Sequence, residues 1–149
     1  MNKFDLQIGN YVNYEQTTHV ITELHKDVVF HQWHTHTLES DDVYQTSYDD
    51  IKQIEISEKE LLRLGFEHSK KNVSFNMGGE LFDYWEKMYG EVGEFGIRPA
   101  FIIWTDKKMT FFSMKGILKT TDKKYTGLHE LQQLYKLYTN EELRYEKTM

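Results

Sequence analysis

The chain contains no cysteine, which excludes disulfides, thiolate metal ligands and a cysteine nucleophile. It has one proline, Pro99, so no proline-rich linker divides it. No run of about 18 apolar residues occurs, and without one no helix is expected to span a bilayer. The opening residues, Met1 to Asp5, lack the basic-then-apolar pattern of a secretion signal, so a cytoplasmic setting is expected. Missing too are the glycine-rich phosphate loop ending in Lys-Ser/Thr, the Gly-x-Ser-x-Gly elbow and His-Glu-x-x-His. These absences leave an enzyme without support, and no motif asks for a cofactor.

What is present suits a globular chain. At 149 residues it fits one domain, 1–149, with 39% hydrophobic and 28% charged residues. Aromatic residues reach 15%, which favours either a β-rich fold or a stacking surface. The net charge of −6 is unevenly spread. Residues 1–60 carry twelve acids against four lysines, whereas residues 106–149 carry nine bases against six acids. An acidic front argues against duplex DNA binding, which needs basic clusters along the phosphates. It leaves room for a basic protein partner, or for a small anionic ligand at the lysine-rich end.

The patterning predicts an α+β fold. Leu6–Val12, His19–Leu24 and Asp27–Trp33 read as short strands, with turns at Gly9-Asn10 and His25-Lys26. A break at Ser40-Asp41-Asp42 precedes a strand through Ile51, Ile54 and Ile56. Together they suggest a small curled antiparallel sheet or an SH3-like barrel at the N-terminus. Ser57-Glu58-Lys59-Glu60 matches a capping box, and Gly65 supplies a left-handed stop, giving one short internal helix. β-Hairpins are expected in the middle. One pairs Val73–Met77 with Glu80–Trp85 about Gly78-Gly79; the other pairs Ala100–Trp104 with Met109–Met114 about Thr105–Lys108. Leu128, Leu131, Leu134, Tyr135 and Tyr138 keep helical spacing, which predicts an amphipathic C-terminal helix over Gly127–Tyr138. Thr139–Glu142 repeats the capping-box pattern and predicts a short terminal turn.

Three constellations could carry chemistry. His34 and His36 lie two apart in His-Gln-Trp-His-Thr-His. On a strand they would share a face and supply half of a metal site, or simply line an exposed strand. His129 opens the last helix, where it could act as a base or bind a phosphate, or be a buried histidine beside a cap. Tyr84, Trp85, Trp104 and Phe111 with Lys107 and Lys108 combine aromatic faces with cations, as nucleotide binding requires, although a hairpin core with solvated lysines uses the same residues.

Three segments resemble a group of small uncharacterised proteins found in phages and prophages of Bacteroidetes-type bacteria. They are Leu6–Val12, Ile51–Phe66 with its Ser-Glu-x-x-Leu-Leu-x-x-Gly-Phe helix, and His129–Tyr135 with Thr139 and Glu141–Leu143 behind it. The stretch from Leu81 to Phe112 is longer here than that pattern. The resemblance implies a phage or prophage setting in the cytoplasm of a bacterial host, a β-rich front and a C-terminal helix, and it carries no established activity. The reading that follows is a non-enzymatic binding protein, an antagonist of bacterial defence that sequesters a nucleotide signal or blocks a host effector protein. A metal-dependent enzyme using His34 and His36, and a phage structural or assembly accessory, are the alternatives. Self-association stays open.

Overall fold

The computed structural model describes residues 5–34, 42–72, 81–91, 96, 98–104, 109–112, 118–121 and 124–146. The chain is α+β, with two antiparallel sheets and two α-helices among the described residues. It divides into two compact units. Met1–Ile56 forms one together with Thr126–Leu134 and Met149; Ser57–Tyr125 and Tyr135–Thr148 form the other. Among the described residues no helix is long and apolar enough to cross a membrane.

The first unit holds β1 (Tyr11–Tyr14), β2 (Thr17–Leu24), β3 (Val28–Trp33) and β4 (Val43–Ser47), hydrogen-bonded in that order. Among the described residues the sheet is an open antiparallel meander, so the antiparallel sheet forms and a closed barrel does not. β1 starts later than expected because Gly9, at φ +92°, turns the chain, and the Asn10 side chain accepts from Gln7 N at 2.8 Å. Glu15 and Gln16, both at positive φ, make the β1–β2 turn. Residues 51–56 make isolated bridges rather than a strand, pairing Lys52 with Asn13 and Glu55 with Gly127. Leu6, Val12, Ile21, Val29, Tyr48 and Ile51 fill the core of this unit.

The second unit opens with α1 (Glu58–Arg63). Ser57 accepts from Glu60 N as the cap predicts, while Glu60's carboxylate accepts the Tyr145 hydroxyl and pairs with Arg63 at 3.6 Å. Leu61 and Leu64 are buried and Leu62 is exposed. β5 (Glu67–Asn72), β6 (Leu81–Met88), β7 (Ala100–Trp104), β8 (Met109–Phe112) and β9 (Leu118–Thr120) form a second meander. β7 and β8 match the expected hairpin strands over Ala100–Trp104 and Met109–Phe112; Thr105–Lys108, Ser113 and Met114, like Val73–Met77 and Gly78-Gly79 of the other hairpin, lie outside the described residues. β5 therefore precedes the strand expected there.

α2 (Leu128–Thr139) gives its first half to one unit and its second half to the other. In the first, Gln132 accepts from Tyr11 N at 2.7 Å and donates to Gly9 O at 3.2 Å. In the second, the Tyr135 ring meets Phe101 at 5.3 Å. At the end of α2 the Thr139 hydroxyl donates to Tyr135 O at 2.6 Å and accepts from Glu141 N at 3.1 Å.

Candidate functional site

Alternation along β3 buries Val29 and His31 on the core face of the first sheet. Register places His31 opposite Tyr44 of β4 and Ile21 of β2, while His19 of β2 faces Trp33. Two buried histidines therefore meet, with their Nδ1 atoms 2.8 Å apart. The neighbouring bonds fix the direction of that contact. Thr17 donates its hydroxyl proton to Tyr14 O at 2.8 Å, so it can only accept from His19 Nε2, 3.0 Å away. His19 Nδ1 is then an acceptor, His31 Nδ1–H donates to it, and His31 Nε2 accepts from Thr46 Oγ1 at 3.0 Å. Both imidazoles are neutral in this arrangement. Burial pushes His19 down to about 4, helped by the facing His31, and burial lowers His31 as well.

Aromatic rings close around the pair. Tyr14 lies 4.8 Å from His31 and 5.2 Å from His19, and Tyr44 stacks on His31 at 5.7 Å with 9° between planes. The stack and the Thr46 bond hold β4 against β3 from within.

The outer side of β4 is different. β4 ends the sheet and, among the described residues, has no second partner strand. It exposes Val43 (52%) and Tyr44 (40%), next to Trp33 (46%). None of its five residues is charged. The other terminal strands are guarded: β1 is bridged by Lys52, through Asn13 N to Lys52 O at 2.8 Å and Lys52 N to Asn13 O at 2.9 Å. β5 carries Glu67, Lys70 and Lys71 in its sequence, and β9 carries Lys119. Charges on edge strands discourage pairing with other chains, and β4 has none. Sequence reasoning missed β4; its signal was the run Val43-Tyr44-Gln45-Thr46 between Asp42 and Ser47.

The described residues among those singled out from sequence fall on several elements. His34 follows β3, donating its backbone N–H to Thr18 O at 2.9 Å and setting its ring edge-on to Tyr11 at 5.0 Å. His36 lies outside the described residues, as do Lys107 and Lys108. Among the described residues no three His, Asp or Glu side chains gather as a cation site. Tyr84 is buried against Trp104, ring centres 5.3 Å apart, while Trp85 stacks on His68 at 4.7 Å. Tyr84 and Trp85 are neighbours on β6 and so sit on opposite faces of the sheet. Phe111 is placed opposite Phe101 in register.

His129 is buried over Gly127, and its Nδ1 has no hydrogen-bond partner among the described residues. Burial lowers its pKa, opposed by Glu130 and Asp5. The donors around it already bind protein acceptors: Gly127 N meets Glu130 Oε1 at 3.2 Å and Leu128 N meets Ile54 O at 2.7 Å. The chain matches no family model, no curated protein and no solved structure.

Proposed function

We propose that this chain is a non-enzymatic binding protein that docks a protein partner on β4, the open edge of its N-terminal sheet. We place it in a phage or prophage setting, as an antagonist that blocks a host defence effector. The observation that carries the docking reading is β4 itself, a terminal strand with exposed Val43 and Tyr44, no charge and no covering strand among the described residues. An open strand offers backbone donors and acceptors to an incoming segment, while its side chains supply selectivity. The stack on His31 and the Thr46 bond pre-organise that edge, which lowers the ordering cost of binding. The phage setting rests on the resemblance of three segments. The sequestered-nucleotide reading calls on Tyr84, Trp85, Trp104 and Phe111 with Lys107 and Lys108; of these, Tyr84 and Trp104 share one face of the sheet and Trp85 lies on the other.

Phage plating on bacterial strains that carry defence systems tests this, with the protein expressed or absent. Plating efficiency should rise on at least one strain and fall back when Val43→Lys and Gln45→Lys place cations on the edge. Both positions are exposed and lie on the face away from the histidine relay. A rise that survives the two lysines would sink edge docking. No rise on any strain would sink the antagonist role.

A further inference from the structure

We infer that the partner presents to β4 an extended segment with an apolar centre and basic ends, added as a fifth strand beside Val43–Ser47. This rests on the edge-docking reading above. The uncharged strand is bracketed by acids: Asp42 precedes it, and Asp49 and Asp50 follow one residue after its end. Asp42, Asp49 and Asp50 are all exposed. A five-residue strand is about 17 Å long, so the two acidic ends are spaced for cations roughly six to eight residues apart on an extended chain. The same sign extends beyond the strand, since residues 1–60 carry twelve acids and four lysines. Such a field steers a basic segment toward the edge and repels an acidic one.

Side-chain alternation sets the rest of the recognition. Tyr44 lies on the face of His31, whereas Val43 and Gln45 lie on the other. An added strand would therefore meet an aromatic ring on one face and an aliphatic side chain on the other. Aromatic and β-branched partners suit both. A second copy of this chain is the wrong occupant. Pairing β4 with itself in antiparallel register puts Asp42 opposite Tyr48 of the copy, beside its Asp49 and Asp50, and parallel pairing aligns the like-charged ends; either arrangement is repulsive.

The test uses the full chain and three peptides: Lys-Lys-Val-Thr-Val-Thr-Val-Lys-Lys, the same core with four glutamates as ends, and the lysine peptide N-methylated at alternate residues. Fluorescence anisotropy reads affinity, and hydrogen–deuterium exchange reads protection of amides 43–47. The lysine peptide should bind about tenfold or more tighter than the glutamate peptide, weaken with added salt, and protect β4. N-methylation should abolish the binding, and Asp49→Asn with Asp50→Asn should narrow the difference between the charged peptides. Equal affinity of both, with β4 protected, would overturn the charge selection and leave edge docking standing. If neither charged peptide protects β4, both readings are overturned. Protection of β4 that rises with protein concentration alone would assign the edge to a second copy and overturn the inference.

Discussion

The Nδ1 atoms of His19 and His31 lie 2.8 Å apart, and only one of them can carry a proton. Thr17 and Thr46, at the two ends of the relay, leave that proton on His31. The arrangement ties three strands together through polar atoms inside an otherwise apolar core, and every member of it is satisfied.

The pair makes the first unit sensitive to acid. Burial holds His19 at about 4 and keeps His31 below its ordinary value. In the unfolded chain each titrates near about 6.5. Below that pH the unfolded state takes up protons that the folded relay refuses, so stability is complete above about pH 6.5 and falls as the pH drops toward 4. The loss should reach about 1–2 kcal/mol by pH 5, before most carboxylates protonate. Melting curves from pH 7.5 to 5 check it, and His19→Gln should flatten the slope. A wild-type melting temperature independent of pH over that range would contradict the neutral relay.

Thr46 supplies the last proton of the chain, and valine has nearly its shape without the hydroxyl. Thr46→Val should leave His31 Nε2 buried without a donor, at a cost of about 1–3 kcal/mol, while Thr46→Ser keeps most of the stability. Urea denaturation of the two variants separates the loss of a methyl from the loss of a hydrogen bond. Equal midpoints would mean that Thr46 is not the donor.

Local chemistry explains which parts of this fold were readable. The β7–β8 hairpin and the Ser57 cap of α1 declare themselves through neighbouring residues: two β-forming runs about Thr105–Lys108, and a hydroxyl three residues from the amide it accepts. Gly65 likewise announces its positive φ. β4 does not, because its β-forming run is short and Gln45 and Ser47 are weak signals; its hold on β3 comes from the backbone ladder and contacts such as the His31 stack and the Thr46 bond. The His19–His31 contact joins residues twelve apart and leaves no spacing motif. Capping signals also mislead when a tertiary partner competes, as at Glu60, whose carboxylate turns to Tyr145. The period-two alternation that divides Tyr84 from Trp85 was legible, but the burial of Tyr84 against Trp104 needed the β6–β7 register.

Gly65 connects the helix stop to an ion pair. At φ +85° it suits glycine, and a Cβ there would come within 2.6 Å of Lys87 Nζ and closer still to the Glu146 carboxylate. Lys87 Nζ donates to Leu64 O at 2.7 Å and to Glu146 Oε1 at 3.0 Å, so the ammonium covers the carbonyl end of α1 and ties the C-terminal segment to it. Gly65→Ala should therefore cost more than the left-handed backbone alone, about 2–3 kcal/mol in total, because the methyl displaces both charged groups. A double-mutant cycle with Lys87→Met isolates the second part. Removing Lys87 should cost less once Gly65→Ala is in place, since the ammonium has already left Leu64 O. Strict additivity would mean that the side chains swing aside freely and that Gly65 is required only for its φ.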